Sequence, residues 1–139
     1  MGDNSAAAFI ERQHGMLPGE MALEWEEVAN GRAVGRFVAA RRHMAPNGYL
    51  HAASVVALAD SACGYGCVAS LPDGAANFTT IELKANYLGT AGEGETVGCA
   101  ARLVHGGRTT QVWDAEVVNE TTGKTIALFR CTQMILYPG

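Results

Sequence analysis

The sequence predicts an α+β fold, a curved antiparallel sheet of five to six strands wrapped around one long apolar helix, with a short helix at the N-terminus. Three observations predict it. The run Ala52–Ser70 is nearly free of charge and too long for a strand. Several stretches of period-two patterning are separated by Gly- and Asn-rich turns. The length of 139 residues gives one domain, 1–139, and little beyond it.

Each element has its own signal. Ala6–His14 is a helical segment that Pro18–Gly19 breaks. Met21–Val28 and Arg32–Arg42 read as antiparallel strands joined by the turn pair Asn30–Gly31. Pro46–Asn47–Gly48 opens a loop that leads into the long helix, and Pro72–Asp73–Gly74 ends it. From Phe78 the period becomes two, with Thr79, Ile81, Leu83, Ala85 and Tyr87 on one face and Thr80, Glu82, Lys84 and Asn86 on the other. Strands follow at Thr96–Val104, Thr109–Val118 and Lys124–Leu136. The separators Gly92–Glu93–Gly94, His105–Gly106–Gly107 and Thr122–Gly123 predict hairpins throughout this half. A helix apolar almost all round cannot rest on a flat sheet with half its surface wet, so the sheet must curl about it.

Composition narrows the function. Ten Lys and Arg against fourteen Asp and Glu leave a net charge of −4 without a basic face, which argues against nucleic acid. Charged residues are 17% of the chain where about 25% is usual, so part of the surface is expected to be hidden in an oligomer. Cys63, Cys67, Cys99 and Cys131 have no zinc-site spacing, and predict free thiols in a reducing cytoplasm and no metal. Met1–Ala8 lacks the basic and apolar regions of a signal peptide. Ala52–Leu71 is long enough to cross a bilayer, but Asp60, two glycines and three serines lie within it, so a helix buried in protein and no membrane is expected.

Asp60 is the residue that does not fit. It is the only acidic or basic side chain between His51 and Asp73, and a carboxylate in a buried helix needs a partner or a purpose. A structural carboxylate held by hydrogen bonds is the competing reading. The small neighbours Ala57, Ser61 and Gly64 favour a crevice, where an acid suits nucleophilic or general-base work. His51 immediately precedes the helix, and Ala52 falls in the first turn, where amides lack helical partners and can stabilise an oxyanion. Eight residues of helix separate Ala52 from Asp60, about 12 Å at a rise near 1.5 Å per residue. If both act on one carbon, they come from different subunits of an antiparallel dimer.

These residues resemble the PaaI-like group of hotdog-fold acyl-CoA thioesterases. That group has an Asn-Gly pair, a His-Gly-Gly at the helix start and an acidic triplet within the helix. The matching residues are Asn47–Gly48, His51–Ala52–Ala53 and Leu58–Ala59–Asp60, and the resemblance runs from about Asn30 to Leu136. It implies homodimers that pair as dimers of dimers, and hydrolysis of a short, medium or aryl acyl-CoA to free acid and coenzyme A. Coenzyme A is then part of the substrate and no further cofactor is implied. By position, Asp60 is the nucleophile or general base, and the Ala52 amide of the partner subunit is the oxyanion donor. His51 lies near the thioester sulfur, and the Thr80 hydroxyl, or that of Thr79, positions water. Asn47, Gly48, Ala53, Thr79, Gly64 and Arg108 are implied substrate contacts, Arg108 toward the CoA phosphates; a solvated turn is the competing reading of Arg108, and close helix approach that of Gly64. Two positions depart: alanines replace the paired glycines, and Ala45 stands where an Asn is frequent. A non-catalytic acyl-CoA sensor using the same groove is the alternative, set back by the lack of a basic helix-turn-helix. A hydratase would call for an Asp and a His a few residues apart in a loop, which the nine-residue gap from His51 to Asp60 does not resemble.

Overall fold

A computed structural model describes residues 3–139. Its elements in chain order are α1 (Ala6–Arg12), α2 (Leu17–Glu20), β1 (Glu24–Ala29), β2 (Arg32–Val38), α3 (Ala52–Ala69), β3 (Asn77–Tyr87), β4 (Thr96–Gly106), β5 (Thr110–Asn119) and β6 (Thr125–Leu136). The six strands form one antiparallel sheet in the order β1-β2-β4-β5-β6-β3, with α3 packed against one face. The single antiparallel layer around a central helix, and the short helix before it, are as the sequence predicts.

The core lies between that face and the helix. Val55, Leu58, Ala59, Ala62, Cys63 and Cys67 of α3 are buried against Phe37, Val97, Trp113, Val117 and Ile126 of the sheet. Each large apolar side chain removed from water contributes about 1.5–3 kcal/mol, which explains why a run apolar enough for a bilayer sits here instead. Close approach needs glycine: a Cβ on Gly66 would lie 2.5 Å from Trp113 Cη2. The C-terminal end of α3 is tied to the sheet by polar groups. Ser70 Oγ accepts from Gly31 N–H at 2.8 Å, and Gln111 Nε2 donates to Ser70 O at 2.9 Å.

Three local expectations need correction. Pro18 does not simply break a helix; it occupies the first turn of α2, where a missing N–H costs nothing. The second strand ends at Val38, not Arg42, because Ala40 N–H turns to His43 Nδ1 at 2.9 Å and residues 41–43 close a 3₁₀ turn. The largest difference concerns β3 and β4, which do not form a hairpin. β3 lies at the sheet edge on β6, while β4 sits between β2 and β5. Gly94 does turn the chain, at φ +89°, but the preceding residues are pinned elsewhere. Leu88 and Gly89 N–H both donate to Ile126 O, and buried Asn119 Nδ2 reaches Thr90 O at 3.3 Å. Turn chemistry identifies a change of direction and not the strand that will be paired next.

Candidate active site

The loop before α3 is organised by a buried histidine. His43 Nδ1 accepts from Ala40 N–H, so the ring carries its proton on Nε2 and donates it to Met21 O at 2.7 Å. The ring also stacks on Phe37 with centroids 4.3 Å apart. Its backbone oxygen then receives His51 N–H at 3.0 Å and Ser54 Oγ at 2.8 Å, which fixes where the helix begins. Asn47 Oδ1 accepts from Tyr49 N–H at 3.2 Å, and Gly48 takes φ +89°. Both are exposed turn residues of this loop.

His51 caps α3: its Nδ1 accepts from Ala53 N–H at 2.9 Å and its O from Ser54 N–H at 2.9 Å. Ala52 N–H donates to nothing among the described residues, and Ala52 is exposed. One donor of the first turn therefore stays open at the positive end of an 18-residue helix. On the far side of the same residue, Tyr87 Oη donates to Ala52 O at 2.9 Å.

Asp60 stands half-buried midway along α3. Burial pushes its carboxyl above the ordinary carboxylate value, and the Thr80 hydroxyl, 2.9 Å from Oδ1, partly opposes that shift. Oδ2 accepts nothing from the described residues, and no buried side-chain oxygen is left without a partner, so Oδ2 is open to solvent. One oxygen is thus held and the other free.

A β-bulge decides which threonine reaches the acid. Inner-face residues of β6 are Ala127, Phe129, Cys131, Gln133 and Ile135, all buried. Opposite them on β3 stand Tyr87, Ala85, Leu83, Thr80 and Phe78, with the register shifting between Thr80 and Glu82. Ile81 is the extra residue. Strict alternation from Tyr87 would have carried Ile81 and Thr79 inward; the bulge turns Thr80 in and leaves Thr79 exposed opposite outward-facing Met134. The two-face pattern expected for this strand therefore holds only from Glu82 onward.

The other sequence-selected residues are dispersed. Gly64 is buried, and a Cβ there would lie 2.8 Å from Phe78 Cζ, so it faces packing. Ala53 is exposed one residue beyond Ala52. Arg108 lies in the β4–β5 turn with its guanidinium over the Tyr137 ring, while Tyr137 Oη donates to Arg108 O. That turn adjoins the C-terminal end of α3, the end opposite His51, because Gln111 bonds Ser70. All four cysteines are buried free thiols, and among the described residues no three metal-binding side chains converge. Gln133 was not singled out from the sequence. Its signal was there, as the single polar member of an apolar inner row, but only once the row's phase is known.

Comparison with known proteins supplies the remaining context. The thioesterase superfamily matches residues 47–126. The 1,4-dihydroxy-2-naphthoyl-CoA hydrolase of Listeria monocytogenes is 32% identical over 112 residues, covering 81% of this chain and 89% of that protein. The acyl-coenzyme A thioesterase PaaI of Escherichia coli is 35% identical over 80 residues, 58% of this chain and 54% of that one. In fold, a mutant thioesterase of Pseudomonas aeruginosa superposes with a TM-score of 0.88 at 23% identity, over 99% of this chain and 96% of that one.

Proposed function

Because this chain belongs to the thioesterase superfamily and is a PaaI-like hotdog thioesterase, we propose that it hydrolyses an acyl-CoA thioester with a short, medium or aryl acyl group. One observation carries the reading: among the described residues Asp60 has Oδ1 held by Thr80 and Oδ2 free, and the Ala52 amide, without a partner there, lies about 12 Å along the same helix. Oδ2 either attacks the thioester carbonyl or takes a proton from the attacking water. The carbonyl oxygen, becoming negative, accepts the Ala52 N–H of a second subunit, where the helix terminus favours negative charge. On the water route, collapse of the tetrahedral adduct expels the CoA sulfur, which leaves as the thiol with the proton that Asp60 took from water. On the covalent route, collapse leaves an acyl–Asp60 anhydride and a thiolate that takes its proton from solvent, and water then cleaves the anhydride to free acid and the Asp60 carboxylate. His51 Nε2–H, on the side of the ring away from its cap, is available to the departing sulfur.

The two sheet edges support the homodimer this needs. β1 carries exposed Glu24, Glu26 and Glu27, charges that discourage further pairing. Among the described residues β3 leaves its outer edge unpaired, and it exposes Ile81 at 51%, Leu83 at 41% and Tyr87 at 42%. A second copy seated along β3 would bury that row and run the two α3 helices past each other. Pairs of such dimers would account for the low charged content of the rest of the surface. The reading places the protein in the cytoplasm with no cofactor beyond its substrate.

The test is release of free thiol across an acyl-CoA panel, combined with subunit mixing. Asp60→Asn and Ala52→Pro are each expected to be inactive. Proline at the first helical position is compatible with the helix, and His51 already has the extended backbone that precedes proline, at φ −67° and ψ 134°. Mixed after unfolding, the two inactive chains should regain about a quarter of wild-type turnover, because half the dimers are mixed and each holds one intact composite site. No recovery on mixing would remove the shared site, and full thiol release by Asp60→Asn would remove the carboxylate.

A further inference from the structure

Thr80 has one hydroxyl proton and faces two acceptors. Its Oγ1 lies 2.9 Å from Asp60 Oδ1 and 2.8 Å from Gln133 Oε1. A single O–H cannot donate along both lines, so one of the two partners must donate to Oγ1. Two arrangements satisfy this condition. In the first, Asp60 is ionised, Gln133 turns its N–H to Oγ1, and Thr80 donates to Oδ1. In the second, Oδ1 carries a proton and donates it to Oγ1, and Thr80 donates to Gln133 Oε1. The first requires only that the Gln133 amide rotate about its last bond, exchanging its nitrogen for its oxygen beside Cys131 Sγ, 3.5 Å away.

The surroundings of Gln133 leave it little else to do. It is fully buried on β6 and stands directly opposite Thr80 in the β3 register. Phe129, Cys131 and Ile135, its neighbours on the same face, are apolar and buried. An apolar side chain in that row would avoid desolvating an amide, so the amide's contribution is directional.

We infer that Gln133 is a positioning residue for the hydrolysis: its side-chain amide sets the direction of the Thr80 hydroxyl. With N–H toward Oγ1, the hydroxyl is aimed at Oδ1 and Oδ2 alone remains to react. With Oε1 toward Oγ1, the hydroxyl is drawn off the carboxylate and a proton rests on Oδ1. Gln133 acts through Thr80 and does not touch substrate. The inference rests on Asp60 being the reacting carboxylate.

A double-mutant cycle tests it. Gln133→Met keeps the length of the side chain and removes its N–H donor and carbonyl acceptor. In the wild-type background it should lower kcat about tenfold to a hundredfold, the scale of a misplaced catalytic group, with KM within about twofold. In a Thr80→Val background it should cost nothing further, because the hydroxyl it steers is gone. An equal loss with and without the Thr80 hydroxyl, or no loss in either, overturns the inference. Should methionine prevent folding, Gln133→Leu, which also lacks donor and acceptor, is read against the same two outcomes. Asp60→Asn, assayed alongside, separates the failures. If it is inactive while Gln133→Met equals wild type, only the role of Gln133 falls; if it remains fully active, the reading of Asp60 falls as well.

Discussion

At the residue scale, Asp60 combines a chemical opportunity with a stability cost. Its folded carboxyl binds a proton more tightly than the unfolded chain does, chiefly because it is desolvated. Ionised Asp60 therefore destabilises the fold. That cost is absent below the unfolded carboxylate range near about pH 4, grows as pH rises through the folded value, and is complete above it. Asp60→Asn should raise the thermal midpoint at pH 7 to 8, as scanning calorimetry would read it, with the gain vanishing in acid, while thiol release falls about a hundredfold or more. A midpoint unchanged at neutral pH would contradict the burial of the charge. The paired threonines give a second contrast. Thr80→Val should lower kcat with the fold intact, whereas Thr79→Val, on the outward side of β3, should leave kcat within about twofold. Asp60 was legible in the sequence because it is the lone charge in an apolar run. The choice of Thr80 over Thr79 was not, since alternation has no mark for the residue a bulge skips.

At the element scale, α3 shows how glycine marks two different kinds of contact. Gly66 meets the ring of Trp113, which is fully buried and held by its Nε1–H on Gln111 Oε1 at 2.8 Å. Gly66→Ala gains up to about 1 kcal/mol of helix propensity but overpacks the core at a cost of about 1–3 kcal/mol. Net destabilisation is expected, read as a lower denaturant midpoint. Gly64 meets Phe78 Cζ, the far end of a half-buried side chain that can shift, so Gly64→Ala should fall near zero in the same measurement. The helix, its start and its end were legible because length and apolarity exclude a strand. So was the β1–β2 hairpin, where Gly31 supplies φ +81°. The crossover from β3 to β4 was not, because its anchors are long-range: Ile126 O, Asn119 and a sheet position that only the assembled strands define.

At the scale of the whole molecule, an 18-residue helix is long enough to keep its first-turn amide and its central carboxylate out of reach of one reacting carbon. Under the proposed mechanism, self-association is a condition of turnover. Ile81→Lys sets a charge on the exposed row of β3 at a residue that has no partner in the β3–β6 register. Sedimentation should move toward single protomers, and thiol release should decline in step with the dimer. A variant that dissociates yet keeps full turnover would place the whole reaction in one chain. The low charged fraction was the only sequence sign of the proposed oligomer, and the edge proposed to serve it required the strand order, because nothing local distinguishes β3 from an interior strand.

The skipped residue on β3 also bears on how relatives of this chain are compared. Eleven residues of β3 lie against ten of β6, Ala127 to Leu136, so one position has no counterpart across the ladder. A homologue without the bulge would keep every facing pair and lose only that position. Written one above the other, two such sequences need their gap at position 81; placed a few residues earlier, it would match the wrong threonine and make a retained hydroxyl look like a substitution.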